Sequence, residues 1–282
     1  MQNKKTIAIT GGNSGIGKQT AITFARNGFN VFITARSDDS GRTAVEEIAS
    51  LSGSANVYYI SGNLSSIQGS KDLAKEIEKK NPVLDVLINN AGLTTVEKEI
   101  NADGFEMSFM VNALAPYILA KNLTPLLAKS ENPKVLNVST GKSFLKMAKF
   151  DIAKSPHGLD YGKGSTYAIA KLAGAMLSLI LADELKQENI TVYSFSPGVY
   201  KTKNSMQNMN NFFLNLTRNL IMLKSMPLAM AGEAPYFLAT NTDLKAATGS
   251  YFDMKQKTAF PLNVNDLKKH KQLREKLIQW GL

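Results

Sequence analysis

The stretch Lys5-Thr-Ile-Ala-Ile-Thr-Gly-Gly-Asn-Ser-Gly-Ile-Gly-Lys18 decides the fold. Its apolar start predicts a buried strand, and a helical pattern follows the glycines. Gly11 permits a tight turn, Gly15 lets the backbone approach a pyrophosphate, and Gly17 permits close packing of helix on strand. The first N–H groups of such a helix can bind phosphate. The spacing Gly-x-x-x-Gly-x-Gly departs from the dinucleotide pattern Gly-x-Gly-x-x-Gly, so a glycine-rich turn without a ligand remains an alternative.

Strands and helices alternate along the rest of the chain. Hydrophobic patterns predict strands at 5–10, 30–35, 56–61, 84–89, 133–139, 190–196 and 248–253, and helices at 16–27, 41–52, 67–80, 103–129, 165–187 and 228–240. This order predicts an α/β fold with a doubly wound, Rossmann-type parallel sheet of about seven strands and helices on both faces. No linker or repeat interrupts it, so we expect a single domain over residues 1–282. The strand ends would then open on one edge of the sheet.

Tyr167 and Lys171 lie four residues apart in the predicted helix 165–187, which places a phenol and an ammonium on one helix face. A cation beside a tyrosine favours the phenolate and lowers the phenol pKa. Such a tyrosine can serve as a general acid or base. The alternative from spacing alone is a surface pair, or a tyrosine packed by a lysine stem.

Composition limits the function classes. The chain has no cysteine and only two histidines, His157 and His270, so no metal site is predicted and a zinc enzyme is not expected. We expect no membrane span, because no apolar run reaches about 18 residues, and a cytoplasmic location, because the N-terminus enters a strand. The net charge of +10 is scattered and no recognition motif accompanies it, so no nucleic-acid partner is predicted. The basic stretch 253–276 predicts a solvated terminal helix, with an acidic membrane surface as the alternative.

Several motifs together resemble the short-chain dehydrogenase/reductase family. They are the glycine turn after Thr10, the Tyr-x-x-x-Lys pair, Asn89-Asn-Ala-Gly92 after a strand, Asn112 in the next helix, and Ser196-Pro-Gly198 with Thr202. The resemblance covers almost the whole chain. More narrowly, Gly15-Ile-Gly-Lys18, Ala35-Arg36 and Gly249-Ser-Tyr-Phe252 are similar to the retinol-dehydrogenase-like branch.

The resemblance implies hydride transfer between a nicotinamide cofactor and a small-molecule carbonyl or alcohol. It implies cofactor contacts from Gly11, Asn13, Ser14, Gly15, Ile16, Gly17, Arg36, Asn63, Leu64, Asn90, Ala91, Gly92, Tyr167, Lys171, Pro197, Gly198 and Thr202. It implies catalysis by Tyr167 as proton donor and by Lys171, which would hold the nicotinamide ribose and lower the tyrosine pKa.

A hydroxyl donor is expected after the fifth strand, where the family has serine. Alignment of Asn137-Val-Ser-Thr140 with the family's Asn-Val-Ser-Ser places Thr140 at that position. Threonine keeps a hydroxyl that can polarise a carbonyl. Ser139 should point to the opposite face because side chains alternate along a strand. The candidates rank Thr140, then Ser139, then Ser143.

Asn112 precedes Pro116 by four residues in the predicted helix 103–129. Proline has no N–H to give to the Asn112 carbonyl, so a kink with a released carbonyl is predicted, which suits an ordered water. The family places a water relay at this asparagine, which implies a path for protons from Lys171 to solvent. A packing kink alone is the alternative.

The second strand ends in Thr34-Ala-Arg36, without the acid that would bind a ribose 2′-hydroxyl. Arg36, with Lys18 near the phosphate turn, favours NADP(H) as cofactor, although Asp38 and Asp39 follow and NAD(H) remains possible. After the third strand Asn63-Leu64 stands where the family has Asp-Leu. The asparagine carbonyl can still accept from an adenine amino group.

The substrate is the least determined part of the prediction. Residues 200–231 are rich in methionine and aromatic residues and lie where the family has a substrate lid, which favours a lipophilic carbonyl compound. The alternative is that they pack as core or as an interface in a homo-oligomer. The tail or helix 262–282 could instead cover the helices that would pair between subunits. A second functional hypothesis is a non-catalytic NADP(H)-binding sensor or scaffold, for which Thr140 and Asn63 are the supporting departures.

Overall fold

A computed structural model describes residues 4–162, 164–202, 225–244 and 247–282. These residues form one eight-stranded sheet with the order β3-β2-β1-β4-β5-β6-β7-β8. The strands are β1 Thr6–Ile9, β2 Asn30–Ala35, β3 Val57–Ser61, β4 Val86–Asn89, β5 Lys134–Val138, β6 Thr191–Ser196, β7 Ser250–Asp253 and β8 Gln256–Thr258. All neighbouring pairs are parallel except β7 and β8. The strand order reverses between β1 and β4, and ligands of such sheets bind at the carboxyl ends of the strands at that point.

The helices connect the parallel strands. They are α1 Gly15–Arg26, α2 Asp38–Ser52, α3 Ile67–Lys80, α4 Met107–Phe109, α5 Ala115–Leu127, α6 Lys142–Met147, α7 Thr166–Glu184, α8 Glu233–Thr240 and α9 Leu267–Gln279. A π-helical segment, Met110–Leu114, joins α4 to α5, and 3₁₀ turns occur at Ser155–His157 and Leu228–Gly232. Serine caps start α2 and α3, where Ser37 and Ser66 each accept a backbone N–H three residues on.

Two apolar layers cover the two faces of the sheet. One contains buried residues of α1, α2 and α8, for example Phe24, Ile48 and Leu238. The other contains buried residues of α3, α5, α7 and α9, for example Leu123 and Met176. The doubly wound arrangement with helices on both faces is therefore confirmed. Because both faces are covered, the central strands read as continuous apolar runs in the sequence.

The sheet has one strand more than predicted. β8 is a three-residue antiparallel edge strand, reached by a tight turn in which Met254 has φ 54°. Its sequence Gln-Lys-Thr carries no apolar alternation, so hydrophobic periodicity cannot reveal it.

One apolar run is longer than predicted, because α7 reaches the length and composition of a membrane span. α7 is 19 residues long, but 72 % of its most apolar 18-residue window is buried inside the protein. Core helices have the same composition, and α7 packs against α4, α5 and α6. It is the one helix that meets these length and composition criteria within the described ranges.

Candidate active site

The glycine turn between β1 and α1 has the backbone conformation expected of a phosphate cradle. Gly11 and Gly15 have φ of +62° and +54°, a region that side chains with a Cβ avoid. A Cβ on Gly17 would overlap the Gly11 carbonyl oxygen, so α1 can approach β1 only with glycine there. Ser14 caps α1 without a side-chain hydrogen bond, and the first turn contains no acidic residue. The first N–H groups of α1 therefore face neither a capping side chain nor a carboxylate of that turn.

A buried hydroxyl ties this turn to the loop after β4. Thr10 Oγ1 accepts from the backbone N–H groups of Asn90 and Ala91, each at 3.0 Å. The Asn90 side chain donates in return to the carbonyls of Thr10, at 2.8 Å, and Gly11, at 3.2 Å. The predicted cofactor residues of the two loops are thus joined by four hydrogen bonds.

The loop after β6 reaches the same turn. The Thr202 methyl lies 3.4 Å from the position that a Cβ on Gly15 would take. Pro197 follows β6 directly and is buried, and Gly198 has φ +98°. The glycine turn, Asn90 to Gly92 and Pro197 to Thr202 therefore come together at the carboxyl edge of β1, β4 and β6.

The ends of β2 and β3 carry the residues predicted to select the cofactor. Arg36 is exposed directly after β2, while Asp38 and Asp39 lie in the first turn of α2. Lys18 forms an ion pair with Glu47, so the expected free cation beside the phosphate turn is already paired with a carboxylate.

After β3, Asn63 is exposed and its Oδ1 accepts from the Ser65 N–H at 2.9 Å. Leu64 packs against the core. A carbonyl oxygen has a second lone pair, so Asn63 can still accept another hydrogen bond.

Tyr167, Lys171 and Thr140 converge where β5 ends beside α7. The Thr140 hydroxyl lies beside the Tyr167 phenol, close enough to lower the pKa of the phenol. Lys171 is 5 % exposed, and its Nζ donates to the Val138 carbonyl at 2.8 Å and lies 5.8 Å from the centre of the Tyr167 ring. The structure thus brings the three predicted catalytic groups together.

Burial controls the protonation of both groups on α7. It raises the pKa of Tyr167, against the opposing effect of the Thr140 hydrogen bond. It lowers the pKa of Lys171 to about 8. The prediction that Lys171 gives Tyr167 a lowered pKa is therefore wrong for the protein alone, because loss of hydration around the phenol outweighs the other effects.

The other two hydroxyl candidates differ from each other in burial. Ser139 continues the ladder, since its N–H donates to the Phe195 carbonyl at 2.7 Å, and its side chain is buried. Its Oγ has no hydrogen-bond partner among the described residues. Ser143 is exposed on α6. Ser139 and Thr140 both follow the end of β5, and the expected alternation of their side chains stays a prediction.

Asn112 lies in the π-helical segment, where the Ala115 N–H donates to the Met110 carbonyl across five residues. The predicted kink before Pro116 takes this form. The Asn112 side chain donates to the carbonyls of Leu93, at 2.7 Å, and Ser108, at 2.9 Å. Its backbone carbonyl faces α7, 2.7 Å from where a Cβ on Gly174 would lie. The π segment therefore links the loop after Gly92 to the helix that carries Lys171.

A polar row crosses three strands beneath α7. Asn89, Asn137 and Ser194 lie opposite one another on β4, β5 and β6. Asn89 donates to Asn137 Oδ1 at 2.8 Å, and Asn137 donates to Ser178 of α7 at 2.9 Å. A cavity of about 20 Å³ adjoins this row and is also lined by Ser139, Asn112 and Lys171.

Sequence reasoning missed three residues that support the site. Thr10 ties two loops, Asn137 joins the sheet to α7, and Tyr251 donates to the Thr140 carbonyl at 2.8 Å. The signal for Asn137 was available, since an asparagine inside an apolar strand must find buried partners. Nothing local in the sequence connects Tyr251 to Thr140, which lies 111 residues away.

The described residues bear on the predictions about a metal site and about a substrate lid. No cluster of three or more acidic, histidine or cysteine side chains suited to a metal occurs among the residues described. The predicted lid 200–231 lies outside these residues between 203 and 224.

Comparisons of the sequence with known proteins identify its family. The family model of the short chain dehydrogenases matches residues 5–211. Retinol dehydrogenase 13 of Homo sapiens is 29 % identical over 263 residues, covering 91 % of this chain and 78 % of the relative. Retinol dehydrogenase 11 of Mus musculus is 33 % identical over 198 residues, covering 69 % of this chain, which spans 61 % of that relative's length.

Solved structures show the same fold. A Pseudomonas aeruginosa RhlG/NADP active-site complex has a TM-score of 0.67 at 25 % identity, covering 88 % of this chain and 93 % of the other. An uncharacterised protein from Mycobacterium paratuberculosis has a TM-score of 0.73 at 20 % identity, covering 98 % and 92 % of the two chains. The chain therefore belongs to the short-chain dehydrogenase/reductase family of NAD(P)-dependent enzymes, in its retinol-dehydrogenase-like branch.

Proposed function

We propose that the protein is an NADP(H)-dependent oxidoreductase that interconverts a lipophilic carbonyl compound and its alcohol. The observation that carries this proposal is the placement of the Thr140 hydroxyl beside the Tyr167 phenol, next to the buried Lys171. Two neighbouring hydroxyls can together bind one carbonyl oxygen, since each has one proton to donate. A location in the cytoplasm remains part of the proposal.

Tyr167 acts as the proton donor when a carbonyl is reduced. The phenol is protonated at neutral pH, since its pKa is not lowered, and it therefore has a proton to donate. Thr140 donates a second hydrogen bond to the same oxygen and stabilises the negative charge that develops there. Lys171 has three donors, of which one goes to the Val138 carbonyl, so others remain for a ribose and for stabilising the phenolate.

The residues at the strand ends fit a dinucleotide cofactor. A Cβ on Gly11 would lie 3.1 Å from the Ala91 Cα, and Gly15 has a positive φ. Both positions therefore favour glycine, which has no side chain to keep a phosphate from the backbone N–H groups. The bound cofactor supplies the hydride. Arg36 is exposed where a ribose 2′-phosphate would be recognised, which supports NADP(H) over NAD(H), and RhlG was solved with NADP.

A water in the 20 Å³ cavity would connect Lys171 to the interior polar row. Such a site needs at least about 10–15 Å³ and two to four polar partners. Asn89 Oδ1, Ser139 Oγ and Ser194 Oγ are buried, line the cavity and have no other partner among the described residues. We assign this water a part in returning protons to Tyr167 through Lys171, with the Asn112 carbonyl as a further acceptor.

A lipophilic substrate is supported by two observations. The relatives that match this chain include enzymes named retinol dehydrogenases. In addition, the segment proposed as a lid, 200–231, is rich in methionine, leucine and phenylalanine. A panel of apolar aldehydes and ketones of increasing length tests the class.

The decisive experiment compares Tyr167→Phe with the native protein. We expect the variant to bind NADPH with unchanged affinity and to lose at least about 100-fold in turnover, because the general acid is removed. Tyr58→Phe is the matched control, since Tyr58 is exposed on β3 and should behave like the native protein. Turnover retained by Tyr167→Phe contradicts the assignment. Cofactor binding by the native protein without reduction of any carbonyl would favour the sensor or scaffold.

A further inference from the structure

The short helix α6 presents apolar side chains to solvent. Leu145 is fully buried, but Phe144 is 39 % and Met147 71 % exposed. The Asn263 side chain donates to the carbonyls of Leu145, at 2.7 Å, and Ala148, at 3.2 Å, which fixes the segment around residue 262 beside the end of α6. Leu262 is 90 % exposed there.

Lysines alternate with the apolar residues of α6 along the sequence. The stretch 141–150 contains Lys142, Lys146 and Lys149, all exposed, and no acidic residue. Lys142 donates to Thr258 Oγ1 at 2.8 Å, which keeps its charge close to the protein surface beside α6. We call the three lysines together with Phe144, Met147 and Leu262 the α6 surface.

We propose that the α6 surface binds the surface of an anionic lipid bilayer. Apolar side chains that project between lysines can enter the interface while the ammonium groups contact acidic headgroups. The charge argues against a second copy on this surface, because it would place three lysines against three lysines. The surface also offers separate projecting side chains rather than a groove into which a peptide would fit.

The α6 surface lies close to the candidate active site, so binding to a bilayer would affect the supply of substrate. α6 begins two residues after Thr140, at the carboxyl edge of β5 where the candidate active site lies. A bilayer bound there would bring dissolved lipophilic carbonyl compounds close to Tyr167. This consequence rests on the proposed function, whereas the lipid binding itself does not.

Sedimentation with lipid vesicles tests the proposal. We expect the native protein to bind vesicles of phosphatidylcholine and phosphatidylserine at least about tenfold more tightly than phosphatidylcholine alone, and to lose this preference at high salt. Met147→Ser with Lys146→Glu should reduce the binding to anionic vesicles at least about tenfold. Leu51→Ser with Lys129→Glu, which likewise replaces one apolar residue and one lysine at exposed positions of α2 and near the end of α5, should leave it unchanged.

Circular dichroism and NADPH binding show whether each variant is folded. Equal sedimentation with and without phosphatidylserine overturns the proposal, and so does an equal loss of binding in both double variants. A dimer in light scattering that Met147→Ser with Lys146→Glu abolishes, without vesicle binding by the native protein, would assign the surface to a second copy instead. Turnover of a water-soluble aldehyde is measured separately, so failure of the proposed enzyme activity would leave the vesicle result interpretable.

Discussion

Replacing Lys171 with methionine should change how the stability of the cofactor-free protein depends on pH. Lys171 is 5 % exposed and burial lowers its pKa to about 8. An unfolded chain returns the lysine to water, where its pKa is 10.5. Between these two pH values the unfolded state binds more protons than the folded state, so the free energy of unfolding rises with pH.

The size of the effect follows from the two pKa values. The gap of 10.5 − 8 corresponds to about 3 kcal/mol, at about 1.4 kcal/mol for each pH unit. This penalty acts in full below pH 8 and is relieved as the pH rises toward 10.5. Between pH 7 and pH 9.5 the native protein should gain about 2 kcal/mol relative to Lys171→Met. Lys134, whose pKa burial also lowers to about 8, contributes equally to both proteins and cancels.

Urea unfolding at several pH values between 7 and 9.5 measures this difference. Lys129→Met, which removes an exposed lysine, is the control and should run parallel to the native protein. The absolute stability of Lys171→Met at pH 7 also contains the loss of the hydrogen bond to the Val138 carbonyl, so the slope with pH is the informative quantity. If the native protein and Lys171→Met keep a constant difference over this range, the pKa of Lys171 is not lowered in the folded protein and the reasoning fails.

Three further predictions concern single side chains. Thr140→Val should lower kcat about 100-fold or more, whereas Thr140→Ser should keep most of it; steady-state kinetics decides, and an active valine variant would remove Thr140 from the mechanism. Gly174→Ala should lower the free energy of unfolding by about 1–3 kcal/mol, because its Cβ would lie 2.7 Å from the Asn112 carbonyl oxygen, and an unchanged urea midpoint would speak against this close approach. Arg36→Ala should weaken NADPH binding about tenfold or more with little effect on NADH; equal weakening of both in a fluorescence titration would contradict the assignment of Arg36 to the 2′-phosphate.

The fold was predictable because its signals are local. The glycine turn between β1 and α1 can be recognised from its residue types. The strands that helices cover on both faces appear in the sequence as apolar runs at regular spacing. The Tyr-x-x-x-Lys spacing likewise places Tyr167 and Lys171 in one helix on the basis of sequence position alone. Each of these inferences uses neighbours in sequence, for which the backbone geometry is known in advance.

The features that escaped prediction depend on contacts distant in sequence or on very short elements. α6 has six residues and buries only Leu145, so no helical period can be read from it. The fall of the Lys171 pKa and the rise of the Tyr167 pKa depend on how deeply α7 is buried, and spacing within a helix does not report burial. The hydrogen bond from Tyr251 to the Thr140 carbonyl joins two strands whose proximity only the folded sheet creates.

The π-helical segment Met110–Leu114 makes the position of Asn112 depend on a single residue. A π turn accommodates one more residue than an α turn, and each residue of an α-helix rotates the next side chain by about 100°. If the same five residues formed an ordinary α-helix, the rotational phase between α4 and α5 would change by about 100°. Either Asn112 would lose its hydrogen bond to the Leu93 carbonyl, or the apolar face of α5 would turn away from the sheet. The extra residue of the π turn interrupts the regular α-helical hydrogen bonds. It thereby allows one continuous helix to keep both the Asn112 contact with Leu93 and the buried face of α5.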